Sequence, residues 1–255
     1  MIKHKINIAF FVIITLLLII FYRNSIYFIH SLLLIIITFV LIISLGSIFI
    51  KLNYFVSSIN KINRDLCLIT FDDGPHPTNT KMVLDVLKKH DLSAIFFIIA
   101  EKAEKYPDVI KQIIKEGHLI GNHSYSHSNL MPFFSTKKIK KDISKAKNIL
   151  EKITTNKIHF FRPPMGITTP NFHRAIKELN LKSIGWSIRS YDTIISDSNR
   201  LINRMSTKVN PGSIILMHDN LNNSADTLNG FIIKAKMKGI NFATTNDIKE
   251  IFDNV

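Results

Sequence analysis

The sequence predicts an α/β fold: a barrel of seven parallel strands alternating with helices, preceded by a two-helix transmembrane hairpin. Three observations carry this. From residue 65 onward, short apolar runs of strand length alternate with segments of helical spacing, the rhythm of a parallel sheet covered by helices. The acids, histidines and arginine that can do chemistry fall just after the strand runs, at the face where barrels gather side chains from several strand ends. The first 64 residues hold six Lys/Arg and no Asp or Glu, whereas the remaining 191 carry 27 basic and all 19 acidic residues. Two regions follow, a membrane hairpin with its linker (1–64) and a mixed-charge domain (65–255) long enough to bury a core.

Two apolar runs, 6–22 and 26–50, are separated by Arg23-Asn24-Ser25. Each is long enough to cross a bilayer, which takes about 17–25 residues. A cleaved signal peptide would need a shorter apolar stretch and a small-x-small cleavage site, and neither is present. Lys3 and Lys5 precede the first span, Arg23 alone lies between the spans, and Lys51, Lys61 and Arg64 follow the second. The bias of Lys/Arg toward the cytoplasmic side then predicts a protein of the inner membrane with both ends in the cytoplasm, the 65–255 domain included.

Within 65–255, the run LCLITF enters Asp72-Asp73-Gly74-Pro75 and reads as a buried strand delivering two acids to its C-terminal end. Helical spacing over 82–87 ends in Lys88-Lys89-His90, charges suited to a helix C-terminus. A strand at 94–99 precedes a helix at 107–116 closed by Gly117. A strand at 118–121 then runs into Asn122-His123-Ser124-Tyr125-Ser126-His127. Next come a helix at 136–153, a strand at 158–161 entering Arg162-Pro163-Pro164-Met165-Gly166, a helix at 170–179 and a strand at 182–187. A polar helix at 198–208, a strand at 213–217 entering His218-Asp219-Asn220, a helix at 225–238, a strand at 240–243 and a helix at 246–252 complete the pattern. The single cysteine, Cys67, lies in a strand run and reads as core, and Trp186, which could instead line a pocket, is assigned to the core as well. No GxGxxG or P-loop occurs, which removes support for a nucleotide fold.

Asp72 and Asp73 are neighbours on a strand, so alternation sends them to opposite sides and gives them different tasks, one toward a metal and one toward a proton. His123 and His127 are four apart and share a face if the segment forms a helical turn. With Asp73 they make a His₂-carboxylate set, suited to a catalytic zinc with a coordination position open for water.

The segments TFDDGP (70–75), GNHSYSH (121–127), RPPMG (162–166) and LMHD (216–219) resemble, in order, the motifs of the polysaccharide deacetylases of carbohydrate esterase family 4, the NodB-homology domain. The resemblance covers about residues 65–250. It implies a distorted (β/α)₇ barrel and metal-dependent hydrolysis of an N-acyl group on an amino sugar. It also implies roles: Asp73, His123 and His127 as ligands of one divalent ion, zinc by expectation, and Asp72 as general base. His218 would be the general acid, with Arg162 holding Asp72, Asp192 orienting His218, and the Met165 backbone N–H stabilising the oxyanion. Two positions depart from the family pattern. Met165 stands where an aromatic residue is usual, and Thr193 where a Trp follows the aspartate.

Joined to the cytoplasmic placement, this predicts an N-acyl amino sugar on a polyprenyl phosphate as substrate, met at the membrane surface. The alternatives are an extracytoplasmic deacetylase of peptidoglycan or another surface polysaccharide and, from a different class, a non-catalytic membrane-bound sugar-binding or assembly module. The net charge of +14 raises nucleic acid as a partner, but no basic run interleaved with aromatics occurs, and nucleic-acid binding is excluded.

Overall fold

A computed structural model describes residues 1–253 of the 255-residue chain. It begins with two helices, α1 (Ile2–Tyr22) and α2 (Phe28–Ile48). At about 1.5 Å per residue, 21 residues span roughly 31 Å, the thickness of a bilayer's hydrocarbon core. Both are long and apolar enough to cross a membrane, and they bury almost none of their surface in the protein. α1 starts four residues before its apolar run and ends with it, while α2 starts two residues after its run begins and stops two before it ends, because apolarity does not mark where the backbone turns. Phe49 leaves the helical region, and Ile50 then tucks into the core.

The remaining elements alternate. They are β1 (Ser58–Ile59), β2 (Leu66–Gly74), α3 (Asn79–Lys89), β3 (Ala94–Ile98), α4 (Ala100–Lys105), α5 (Pro107–Lys115) and β4 (Leu119–Asn122). Then come α6 (Thr136–Thr154), β5 (Phe160–Phe161), α7 (Pro170–Glu178), β6 (Lys182–Ile184) and β7 (Ile188–Arg189). The series ends with α8 (Ser198–Lys208), β8 (Ile214–His218), α9 (Ser224–Lys236), β9 (Asn241–Phe242) and α10 (Thr245–Asp253). Strand order is β1-β6-β5-β4-β3-β2-β8-β7, all pairs parallel, with β9 against the first two residues of β2.

This is the distorted barrel of the sequence reading, incompletely closed and with differences of detail. β1, α4 and the separate β7 were not predicted. The strand expected over 182–187 is broken at Gly185-Trp186-Ser187. Its first half, β6, lies beside β5, and the chain rejoins the sheet just past the expected strand as β7 beside β8, so one stretch of chain spans the two ends of the sheet. β2 is the centre, buried along nearly its whole length between β3 and β8. Cys67 is buried there, and burial pushes its thiol up to about 11, as expected for a core cysteine.

The hairpin is not a detached leash. Ser47 of α2 accepts from the Thr168 N–H at 3.0 Å and donates its Oγ to the Thr168 carbonyl at 2.7 Å, bonding the last turn of α2 to the loop after β5. A Cβ at Gly46 would sit 2.5 Å from the Tyr54 ring, so glycine permits that close approach. At the start of α1, Lys3 reaches the Leu52 carbonyl at 2.7 Å. Both helix ends nearest the domain are therefore fixed to it.

Candidate active site

The C-terminal ends of β2, β4, β5, β7 and β8 converge on one cleft of about 190 Å³. At the end of β2, the register with β3 slips between Phe71 and Gly74, and Asp73 takes a left-handed φ of 70°. Strand alternation is lost at that bulge, which corrects the expectation that the two aspartates face opposite sides. Both face the cleft: His123 Nε2 is 3.7 Å from Asp72 Oδ2 and 3.6 Å from Asp73 Oδ1. Gly74 allows the crowding that follows, since a Cβ there would lie 2.5 Å from the Asp219 carboxylate. Asp219 is fully buried and accepts from Thr80 Oγ1. Burial pushes its carboxyl up to about 7.

His123 and His127 come together without the helical turn that their spacing suggested. Ser124 and His127 both have positive φ, and the loop is tied by Asn122 Oδ1 accepting from Ser124 N and Ser124 Oγ accepting from His127 N. Asp142 on α6 steadies it further, accepting from Tyr125 N at 2.7 Å. Four-residue spacing on a helix and this tied loop bring the same two rings together by different routes.

Asp73, His123 and His127 offer donor atoms that all lie within 4.8 Å of one another. Tetrahedral bonds of about 2.1 Å put ligand atoms roughly 3.4 Å apart, and Asp73 Oδ1 lies 3.2 Å from His127 Nε2 and 3.6 Å from His123 Nε2. The same Oδ1 is buried with no hydrogen-bond donor. His123 Nδ1 lies 2.8 Å from the Arg162 carbonyl, the bond that fixes the tautomer with Nε2 free to ligate. These residues fit a divalent metal. Burial alone would raise the Asp73 carboxyl, but His123, His127, His218 and Lys102 together outweigh it and hold it low. Burial and His123 keep His127 below its usual value against the pull of the two aspartates.

Two supporting pairs flank this cluster. Arg162 is fully buried, donating Nη1 to Asp72 Oδ1 at 2.7 Å and to Thr70 Oγ1 at 2.8 Å, Nε to the Ile184 carbonyl and Nη2 to the Gly185 carbonyl. Its guanidinium stacks on Phe97, 4.1 Å from the ring centre. Burial lowers its pKa while Asp72 raises it. Across the cleft, His218 stands in register with Asp72 on the neighbouring strand. Asp192 Oδ1 contacts His218 Nδ1 at 2.7 Å, and Oδ2 accepts from the His218 backbone N–H at 2.8 Å. Burial lowers the His218 pKa, yet the bond and charge of Asp192, helped by Asp72 and Asp73, leave it raised.

Met165 holds a left-handed φ of 58° in the loop after β5 and lines the cleft, as does Thr193. Trp186 corrects the sequence reading. It is half-buried, and its ring forms a wall of the cleft over Gly166, where a Cβ would come within 2.2 Å of it. Leu216, the first residue of the LMHD segment, also lines the cleft, as does Arg189, which no sequence signal marked. A larger cavity, about 730 Å³, lies at the opposite end of the barrel, between the chain entering β3 and β4, and contains none of these groups.

The polysaccharide deacetylase family model matches residues 60–184. Over 186 residues the chain is 36% identical to a peptidoglycan-N-acetylglucosamine deacetylase of Bacillus cereus, covering 71% of this chain and 67% of that one. The chain belongs to the polysaccharide deacetylase family. It is also 35% identical over 158 residues to a chitooligosaccharide deacetylase of Azorhizobium caulinodans, covering 62% of this chain and 75% of the relative. Among solved structures, a carbohydrate esterase family 4 pseudoenzyme from Bacillus anthracis superposes with a TM-score of 0.70 at 26% identity, covering 76% of this chain and 68% of that one. Deacetylases of this family are metalloenzymes acting on carbohydrates, as the two named relatives do, and pseudoenzymes such as the Bacillus anthracis protein also belong to it; this chain, with its Asp and His cluster, stands with the hydrolases.

Proposed function

We propose that the protein is a membrane-anchored, metal-dependent hydrolase that removes the N-acetyl group from an amino sugar of a cell-envelope glycan. The observation that carries this is the placement of the Arg162–Asp72 and Asp192–His218 pairs on either side of Asp73, His123 and His127. A divalent ion held by those three, zinc by the preference of a His₂-carboxylate set, supplies the Lewis acid that polarises the amide carbonyl and activates water. Asp72, oriented by Arg162, takes the proton of the attacking water. His218, held by Asp192, whose bond and charge raise its pKa against the effect of burial, delivers a proton to the departing amine, a poor leaving group until protonated. The Met165 backbone N–H is assigned to the developing oxyanion. At about 190 Å³ the cleft is smaller than the ~300–1,000 Å³ of pockets that enclose whole ligands, so it takes the acetamido group and leaves the sugar ring at the mouth.

The glycan is read from the relatives, a peptidoglycan-N-acetylglucosamine deacetylase and a chitooligosaccharide deacetylase. On that reading the domain faces the outside. The Lys/Arg distribution around the spans favours a second reading, with the domain on the cytoplasmic face and a polyprenyl-phosphate-linked N-acyl sugar as substrate. Residues 1–64 serve as the anchor in either case and 65–255 as the catalytic domain.

The test is acetate release by the full chain in detergent, with and without chelator, from peptidoglycan, chitooligosaccharides and a polyprenyl-phosphate-linked N-acetylglucosamine. Chelator-sensitive release is expected. Glycan binding without release from any of the three would replace catalysis with a sugar-binding module. Protease access to the domain in sealed inside-out vesicles separates the two placements: protection requires the outer face, cleavage the inner.

A further inference from the structure

Beside the catalytic cleft, and sharing Trp186 and Arg189 with it, lies a second cavity of about 210 Å³ at the point where α2 meets the domain. Its walls come from three places: Ile48 to Lys51 at the end of the second span, Trp186 to Tyr191 around β7, and Arg204 and Lys208 of α8. Four of the lining residues are cations and none is an acid. Among the described residues, Lys51, Arg189, Arg204 and Lys208 make no ion pair.

The two arginines are held as a pair. Tyr191 lies between them, its ring centre 5.2 Å from the Arg189 guanidinium carbon and 4.4 Å from that of Arg204, and Arg204 Nη2 reaches the Arg189 carbonyl at 3.5 Å. Stacking fixes both guanidinium planes while leaving most of their N–H donors unspent. The Nε atoms of both arginines are buried and have no acceptor. Buried donors without partners are costly, and two on adjacent stacked guanidinium groups form an incomplete anion site.

The location adds a second constraint. Phe49 and Ile48, exposed at the end of the span, put this cavity at the level where the chain leaves the bilayer. The cleft mouth lies at the same end, because the loop carrying Met165 is hydrogen-bonded through Thr168 to Ser47. Leu130, Phe133 and Ile194, on loops following β4 and β7, are exposed apolar side chains on this C-terminal face, of the kind that settle into a membrane interface.

We propose that this cavity binds a phosphate or pyrophosphate group of a membrane-borne molecule, next to the cleft that receives the acetamido group. Four cations and orphaned guanidinium donors match phosphate oxygens. The volume, below that of pockets enclosing whole ligands, takes a phosphate rather than a sugar ring. The phosphate has two sources at this level: the substrate's own lipid linkage, which would mean that deacetylation occurs on a lipid-linked sugar, or a bilayer phospholipid headgroup. The first source rests on the deacetylase reading above; the anion site does not.

Isothermal titration of the full chain in phosphatidylcholine nanodiscs with inorganic pyrophosphate tests the site. Saturable binding is expected, weakened about ten-fold or more by Arg204→Gln and by Lys208→Gln, and unchanged by Lys88→Gln at the opposite end of the barrel. No binding, or equal binding by the cavity variants and the unaltered chain, overturns the proposal. Should Arg204→Gln fail to fold, judged by near-UV circular dichroism, the exposed Lys51 and Lys208 carry the same comparison as Lys51→Gln and Lys208→Gln. In nanodiscs containing phosphatidylglycerol, loss of pyrophosphate affinity assigns the cavity to a headgroup. Retained affinity, with a lower KM for polyprenyl-pyrophosphate-linked N-acetylglucosamine than for a chitooligosaccharide and a selective rise of that KM in Arg204→Gln, assigns it to the substrate. Pyrophosphate binding without acetate release from any glycan leaves the anion site standing and removes the deacetylase reading; release without binding does the reverse.

Discussion

Replacing Arg162 by Ala separates what holds the fold from what holds the base. The side chain is fully buried and its hydrogen bonds go to four acceptors, of which Asp72 Oδ1 is the only charged one. Removing it leaves a buried carboxylate without its counter-charge and the Ile184 and Gly185 carbonyls without their donor. Breaking a buried pair of this kind costs roughly 3–5 kcal/mol. At about 2–4 °C per kcal/mol for a domain of this size, the melting temperature should fall by roughly 6–20 °C. Differential scanning fluorimetry of the full chain in detergent measures this directly. The decisive comparison is the same substitution in the Asp72→Asn background, where no charge is left uncompensated. There the loss should shrink, giving a coupling of about 0.5–3 kcal/mol. Arg162→Lys should recover part of the loss, because an ammonium can face Asp72 but lacks the planar fork that also reaches both carbonyls. A melting shift under about 2 °C, or the same loss with Asn at position 72 as with Asp, would refute the assignment of Arg162 as the buried partner of the base.

Three further outcomes are expected. His127→Ala should lower bound metal, read by elemental analysis, together with acetate release; full metal content would remove His127 from the ligand set. Asp72→Asn should keep the metal and lose roughly 10²-fold or more in kcat, and near-normal turnover would mean that another group takes the proton. Asp192→Asn should move the alkaline fall of the kcat profile to lower pH. The folded-state pKa of His218 is raised chiefly through Asp192, so the proton it donates is held until pH climbs past the ordinary imidazole value, and without Asp192 it leaves earlier. The same pairing stabilises the fold fully below the unfolded imidazole pKa of about 6.5 and is lost as pH rises through the raised value. An unchanged pH profile in Asp192→Asn would take His218 out of the proton-donating role.

Local pattern carried most of the architecture. The strand run before Asp72-Asp73, the strand-helix rhythm to residue 252 and the two apolar spans are properties of neighbouring residues, and periodicity reports them directly. The order of the four motif segments was equally legible, and the residues they name meet in one cleft. What the pattern misjudged was the path of the backbone between those residues. Asp73, Ser124, His127 and Met165 all adopt left-handed φ without being glycine, a conformation that side chains disfavour and that no propensity announces. Those four turns replace strand alternation at the aspartates and a helical turn at the histidines, and surrounding contacts hold them there.

The remaining features depend on contacts between residues far apart in the chain, and only the tertiary structure decided them. Gly166 meets Trp186 and so turns a presumed core tryptophan into a cleft wall. Thr168 meets Ser47, 121 residues away, and brings the cleft mouth to the C-terminal end of α2. Lys51 reads in the sequence as a charge flanking the second span and Arg189 and Arg204 carry no signal there, yet the fold draws them into one cavity. Composition counts charges but carries no information on which ones share a wall. That is fixed by the packing of β7, α8 and the end of α2, where burial removes water from guanidinium groups and leaves their donors without acceptors.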